Sequence, residues 1–103
     1  MFVVIYTPGP AWLQGKPVRE QPFYREHGRY MQQVFADKQL IMGGPSLDNQ
    51  GALGILDVAN EAQALEILAH DPAVLAQFLE AHVHPWHVAF NQYPVQSSQS
   101  GLF

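Results

Sequence analysis

PFYREHGRYMQQVFADKQLIMGGP, residues 22–45, is the stretch that decides the fold. Ring-bearing and apolar side chains recur in it at i, i+4, i+7, i+8, i+11 and i+12: Phe23, His27, Tyr30, Met31, Val34 and Phe35. This spacing predicts an amphipathic helix, and Pro22 suits its first position because no intrahelical hydrogen bond is lost there. The pattern turns His27 towards the core. A buried imidazole without a hydrogen-bond partner costs about 1–3 kcal/mol, so the partner of His27 becomes the central question.

Four strands are predicted along the chain, one before this helix and three from its end onwards. They cover residues 2–7, 39–44, 53–58 and 83–92, the last with Trp86, Val88 and Phe90 on one face. The second strand runs into Gly43-Gly44-Pro45, and a turn over residues 46–51 connects it to the third strand in a hairpin.

Two further helix starts follow the hairpin. Asn60 and Gln63 form a capping-box-like pair at the start of a helix that is expected to end near His70. Asp71 and Pro72 then suit the N-cap and first position of a short helix that reaches about residue 80.

The order of the elements, β-α-β-β-α-β, predicts a ferredoxin-like α+β fold: an antiparallel sheet with both helices on one face. The first strand is apolar on both faces, since Phe2, Val4 and Tyr6 alternate with Val3, Ile5 and Thr7. Two helices cover only one of these faces. We therefore expect the open face to pack against a second copy of the chain in a two-fold homodimer.

Composition excludes several classes of function. The 103 residues include 5 basic and 9 acidic side chains, a net charge of −4 without a basic cluster, which argues against nucleic-acid binding. Cysteine is absent, so disulfides and thiolate chemistry are excluded. The N-terminal residues do not resemble a signal peptide, and no run approaches the roughly 20 apolar residues of a membrane span. We expect a cytoplasmic protein without a membrane partner.

The chain is interpreted as one domain over residues 1–92 and a tail over residues 93–103 that is mobile or contacts a partner. Residues 8–21 form an unusually long connection with three prolines. This loop is either a lid over a site or a surface excursion pinned by Trp12, and the sequence leaves both interpretations open.

Four motifs in order resemble the YciI-like (YCII-related) domains: the helix-borne His27, the strand ending Gly43-Gly44-Pro45, the pair Asp71-Pro72, and the closing Val83-His84-Pro85-Trp86. The resemblance covers roughly residues 1–92. It implies a dimeric α+β barrel with a His–Asp site in a cleft near the dimer interface. His27 and Asp71 take the two roles, and Gly43, Gly44 and Pro45 form the pocket-lining turn. Some relatives of the family remove halide from hydroxylated aromatic compounds.

Chemistry also favours His27 with Asp71. A carboxylate on one ring nitrogen fixes the tautomer and leaves the other nitrogen free to move a proton near neutral pH. Structural interpretations stand beside this hypothesis. His27 could be a core histidine bonded to a carbonyl group, and Asp71 could serve only as a helix cap.

Other residues are candidates for binding a substrate. Gly43 and Gly44 allow close approach of the backbone to a ligand, although a tight turn would explain them equally well. Tyr6 and Tyr30 are candidate hydroxyl donors, with core packing as the alternative.

The closing strand carries a competing cluster, His82, His84 and His87. His82 and His84 share one face of a strand and could bind a divalent metal, but His87 should point away, so a third ligand is missing. We therefore expect no metal site and no cofactor.

The sequence thus favours a cofactor-independent lyase or isomerase acting on a small cyclic or aromatic compound, with His27 as acid–base and Asp71 as its orienting partner. The alternatives are a non-catalytic dimeric module that binds a metabolite in the same cleft and, third, a histidine metal site.

Overall fold

The structure, a computed structural model, describes residues 1–93. Its elements are β1 (Phe2–Pro8), a 3-10 turn (Val18–Glu20), α1 (Tyr24–Ala36), β2 (Leu40–Pro45), β3 (Ala52–Leu56), α2 (Glu61–Ala69), α3 (Pro72–Leu75) and β4 (Leu79–Pro85). Apart from Tyr93, the predicted tail lies outside the described residues.

The four strands form one antiparallel sheet in the order β2-β3-β1-β4. Alternate residues of β1 enter a single core that also contains Val34 of α1 and Leu68 of α2, so both helices cover the same face. This arrangement confirms the ferredoxin-like α+β fold. Among the described residues, no helix has the length and apolar character that crossing a membrane requires.

The other face of the sheet is open. Its central side chains include Val3 and Ile5 of β1 and Leu53 and Ile55 of β3, and the side chains of Ile5 and Leu53 are 41% and 50% exposed. Both faces of β1 are therefore apolar, as the sequence predicts, but only one face is buried within the chain.

The predicted start of α1 is wrong by two residues. The helix begins at Tyr24 because Phe23 adopts a left-handed backbone, with φ 66°, and serves as N-cap. Phe23 and Phe35 are 45% and 58% exposed, so they do not belong to the buried stripe. His27 and Val34 do, and they are the buried residues of the helix.

The boundary between α3 and β4 also differs from the prediction. The helix ends at Leu75 rather than near residue 80, because Gln77 takes a left-handed backbone and Phe78 N–H donates to the Ala73 carbonyl. The strand covers Leu79–Pro85 instead of residues 83–92. Pairing stops at Pro85 because its partner is Phe2, the first residue of β1, and β1 offers no further residue to pair with β4.

The two predicted helix caps are confirmed. The Asn60 side chain accepts a hydrogen bond from Gln63 N–H at the start of α2, and Asp71 accepts one from Ala73 N–H at the start of α3. Each carboxylate or amide oxygen satisfies a backbone donor that the helix itself leaves unpaired.

The long loop after β1 is held in place by two of its own side chains. Trp12 packs against the core, as one of the two interpretations expects. The stronger attachment is Gln21, which is buried and exchanges hydrogen bonds of 2.8 and 2.9 Å with the backbone of Leu13 and donates one of 2.9 Å to the carbonyl of Lys16. The loop is therefore an ordered part of the domain.

Candidate active site

Two side chains that are far apart in sequence meet in the core: His27 Nδ1 lies 2.5 Å from Asp71 Oδ2. Asp71 is completely buried, and the His27 side chain is 9% exposed. A buried carboxylate is stable only with hydrogen-bond partners, and the imidazole provides one. His27 finds its partner in a carboxylate, not in a backbone carbonyl.

The second oxygen of Asp71 has a different task. Asp71 Oδ1 accepts a hydrogen bond of 3.0 Å from Ala73 N–H, so the same carboxylate caps α3 and holds the imidazole. Pro72, at the first helical position, directs the chain into α3. The short helix α3 therefore holds the Asp71 carboxylate in position, and the carboxylate in turn orients the His27 ring.

A cleft of about 430 Å³ opens between α1 and the β2–β3 hairpin. Its polar lining includes Tyr6, His27 and Gln32, and its apolar lining includes Met31, Phe35, Leu40 and Ala52. Asp71 is not part of the wall, since it lies behind His27 in the core. Gly43, Gly44 and Pro45 line the cleft as predicted, but they are paired residues at the end of β2 and do not form a turn.

The floor of the cleft is formed by two glycines on neighbouring strands. Gly43 of β2 pairs with Gly54 of β3, and both lie on the helix-covered face together with Ala52. Gly54 was missed by the sequence analysis. The available signal was a glycine inside a predicted strand, which often marks a close approach of backbone to another group.

The two candidate tyrosines have different positions. Tyr6 lines the cleft, and its ring meets His27 edge to face with centroids 5.2 Å apart. Burial, followed by the charge of Asp71 and the presence of Tyr30, raises the pKa of the Tyr6 hydroxyl. Tyr6 is therefore a neutral hydrogen-bond donor at physiological pH.

Tyr30 does not line the cleft. Its hydroxyl donates a hydrogen bond of 2.7 Å to the carbonyl of Ile67, which ties α1 to α2. Burial, then the charges of Asp71 and Glu66, raise the pKa of Tyr30. This position corresponds to the packing alternative that the sequence left open for Tyr30.

The histidines of the last strand lie away from the cleft. His82 Nε2 is 2.9 Å from the Thr7 hydroxyl, and His87 lies beyond the end of β4. Within residues 1–93, no three His, Cys, Asp or Glu side chains are grouped so that they could hold a metal ion.

Known proteins place this geometry in context. No curated protein matches the chain. A solved structure that resembles it is 5-chloro-2-hydroxyhydroquinone dehydrochlorinase (TftG) from Burkholderia phenoliruptrix AC1100, in complex with 2,5-dihydroxybenzoquinone. The two share 25% sequence identity and a TM-score of 0.62, over 84% of this chain and 93% of TftG. The family of YCII-related domains matches residues 1–87. The chain therefore belongs to the YCII-related domain family.

Proposed function

We propose that this protein is a cofactor-independent lyase that eliminates a leaving group from a small hydroxylated ring compound. The observation that carries the proposal is the contact between His27 Nδ1 and Asp71 Oδ2 directly behind the wall of a cleft. The pair combines a group that can exchange a proton near neutral pH with a group that orients it.

Each member of the pair has one role. Asp71 holds Nδ1, which fixes the ring orientation and stabilises the imidazolium form when it arises. Nε2 is then the nitrogen that exchanges a proton with a substrate. Within residues 1–93 no protein hydrogen bond is made by Nε2.

The proposed step is balanced without an oxidant or reductant. His27 Nε2 first moves a hydroxyl proton to the ring carbon that bears the leaving group, which gives the keto tautomer with a saturated carbon at that position. It then removes a second hydroxyl proton, and the electron pair of the broken O–H bond forms a C=O bond as the ring double bond shifts towards the saturated carbon. The leaving group departs with its own electron pair, so the net change is loss of HX. Because the step is redox-neutral, the proposal includes no cofactor. An isomerase would use the same His27 and return the proton to another atom.

The substrate class is supported by the cleft and by TftG. A volume of about 430 Å³ with a largely apolar lining suits one small ring. TftG, by name a dehydrochlorinase of a chlorinated hydroxyhydroquinone, was solved with 2,5-dihydroxybenzoquinone. The Tyr6 hydroxyl belongs to a residue that lines the cleft and donates to Met31 Sδ at 3.7 Å, a weak acceptor that a ring oxygen of the substrate would replace.

The experiment compares wild type with His27→Gln on 5-chloro-2-hydroxyhydroquinone and related halogenated phenols, following halide release and ligand binding separately. Loss of at least about a hundredfold in turnover with retained binding supports acid–base catalysis. Equal turnover by the variant overturns the proposal. Binding without turnover by wild type on every compound favours the alternative, a non-catalytic metabolite-binding module.

We further propose that the protein is a homodimer formed through the open face of the sheet. The exposed side chains of Ile5 and Leu53 support this, since contiguous apolar sheet surface is unfavourable in water. A two-fold axis would let the same surface of both copies cover each other.

A further inference from the structure

Tyr24, the first residue of α1, forms part of the wall of two cavities. It lines the cleft together with His27, and it also lines a second cavity of about 450 Å³ together with Arg19, Phe23 and Arg25. No other residue is shared by the walls of these two cavities within the part of the chain that the structure describes. Tyr24 therefore marks the end of the cleft at the start of the helix.

The side chain of Tyr24 is held against His27. The two residues are three positions apart on α1, so they share one face of the helix. Their ring centroids lie 6.0 Å apart, with an interplanar angle of 37°, and the half-buried Tyr24 ring packs against the core. The Tyr24 N–H also donates to the carbonyl of Gln21 at 3.2 Å. With ring and backbone held, the hydroxyl can bind a ligand with little further loss of side-chain entropy.

The hydroxyl of Tyr24 differs from those of the two other tyrosines around the site. The Tyr6 hydroxyl donates to the sulfur of Met31 at 3.7 Å, and the Tyr30 hydroxyl donates to the carbonyl of Ile67 at 2.7 Å. Across residues 1–93, the Tyr24 hydroxyl makes no hydrogen bond to another protein group. In a largely apolar cleft, a few polar groups of this kind fix the orientation of a ligand.

We propose that Tyr24 is a catalytic residue, whose hydroxyl donates a hydrogen bond to the substrate oxygen that loses its proton to His27 Nε2 in the elimination. The contact between the Tyr24 and His27 rings brings both groups to the same end of the substrate. This inference rests on the proposed function, because it adds a residue to the same reaction.

The role of this hydrogen bond follows from the charge that develops in the reaction. Negative charge forms on the substrate oxygen as its O–H bond breaks, before the electron pair is fully shared in the new C=O bond. A donor already placed at this oxygen stabilises the charge. The proton passes to His27 and Tyr24 keeps its own, so the balance of the reaction is unchanged.

The test uses Tyr24→Phe, which removes the hydroxyl and keeps the ring that contacts His27. Binding of 2,5-dihydroxybenzoquinone, measured by calorimetry, should weaken by about ten- to a hundredfold, because a hydrogen bond to a charged oxygen is lost. The kcat for halide release from 5-chloro-2-hydroxyhydroquinone should fall by about a hundredfold. Tm should stay within about 2 °C of wild type, because no hydrogen bond within residues 1–93 is removed.

Tyr30→Phe is the matched control, since it removes the same atom from the same helix at a residue that does not line the cleft. It removes the hydrogen bond to the Ile67 carbonyl, so Tm should fall by about 4–8 °C. The affinity for the quinone should stay within about twofold of wild type when it is measured well below Tm. The two variants thus separate a contact to the ligand from a contact within the protein.

Four results overturn the proposal: wild type does not bind the quinone, Tyr24→Phe binds it as tightly as wild type, Tyr24→Phe lowers Tm as much as Tyr30→Phe, or Tyr24→Phe keeps the wild-type kcat at saturating substrate. Failure of the proposed function is a different observation, namely turnover that survives His27→Gln. In a protein without elimination activity, weaker quinone binding by Tyr24→Phe would support the hydrogen bond and overturn its catalytic role.

Discussion

The rings of Tyr6 and His27 meet edge to face, with centroids 5.2 Å apart and an interplanar angle of 77°. Tyr6 stands on the central strand β1 and His27 on α1, so this contact joins the two layers of the domain at the cleft. The phenol also directs its hydroxyl to the sulfur of Met31, at 3.7 Å. Tyr6 therefore supports the His27 ring from the sheet side. Its burial there also raises the pKa of its hydroxyl.

The stability of the protein should depend on Tyr6 at alkaline pH. The pKa of Tyr6 is raised in the folded state above its ordinary value of 10.0, so only the unfolded chain loses this proton just above pH 10. The contribution of Tyr6 to the free energy of unfolding is complete below pH 10. It declines as the pH rises above 10, by up to about 1.4 kcal/mol per pH unit. Urea unfolding at pH 9, 10 and 11 should show a steeper loss in wild type than in Tyr6→Phe. Tyr93→Phe, at a 70% exposed ring, is the control and should keep the wild-type slope. Equal slopes for wild type and Tyr6→Phe would contradict the prediction.

The two tasks of Asp71 should be separable by mutation. Asp71→Ser keeps an oxygen that can cap α3 but is too short to reach His27, whereas Asp71→Ala loses both contacts. Both variants should lose turnover, because the imidazole is no longer oriented. Asp71→Ala should lose about 1 kcal/mol more unfolding free energy than Asp71→Ser, as measured by chemical denaturation. Equal stability of the two would show that the cap contributes little.

The glycines that end β2 should respond differently to the same change. A Cβ on Gly43 would lie 3.2 Å from the carbonyl oxygen of Leu53, whereas a Cβ on Gly44 would meet nothing within 4 Å. Gly43→Ala should therefore lower the unfolding free energy by about 1–3 kcal/mol, and Gly44→Ala should leave it within about 0.5 kcal/mol of wild type. Thermal and urea unfolding measure both. A larger loss in Gly44→Ala would mean that the register of β2 is not as described.

The proposed dimer should dissociate when a charge enters the open face. Ile5→Lys places an ammonium group at the centre of that face and should give a monomer at micromolar concentration, measured by size-exclusion chromatography with light scattering. Leu65→Lys is the control, because Leu65 is 52% exposed on α2, in the helical layer. A monomeric wild-type protein, or a dimer that survives Ile5→Lys, would rule out this interface.

The loop after β1 should loosen when its internal anchor is removed. Gln21→Ala leaves Leu13 N–H and the Lys16 carbonyl without the Gln21 side chain, and leaves the Leu13 carbonyl with only its bond from Lys16 N–H, which should cost about 1–3 kcal/mol. Limited proteolysis should then cleave within residues 9–17, and urea unfolding should give the loss. Gln14→Ala, at an exposed glutamine of the same loop, should have no effect on either readout. Protection of the loop in Gln21→Ala would show that Trp12 alone is sufficient.

The element order and the helix caps could be predicted from sequence because their signals are local. Asn60 and Asp71 are residue types that favour the N-cap position, so they predict where helices start. The spacing of apolar residues around His27 predicts which face of α1 is buried. That His27 and Asp71 would meet was inferred from the needs of a buried imidazole together with the family resemblance. Such local predictions are reliable because the hydrogen bonds they rest on join residues that are close in sequence, and the structure contains these bonds.

Features that depend on distant parts of the chain were not predicted. The end of β4 is set by where β1 begins, and a run such as residues 83–92 does not carry that information. The pairing of Gly43 with Gly54 depends on an irregularity between Leu40 and Met42 that shifts the register of β2. Left-handed backbones at Phe23 and Gln77 run against the preference of these residue types, so pattern reasoning could not locate the ends of their helices.

The carboxylate of Asp71 links a very short helix to the orientation of an imidazole. Four residues cannot remain helical by themselves, so Pro72–Leu75 depends on the Asp71 cap at its first turn and on the packing of Ala73 in the core. Fraying of this turn on warming would release the aromatic ring of His27 while the sheet is still intact. Heat should consequently abolish the proposed elimination activity some degrees before the bulk of the domain melts, and cooling should restore it.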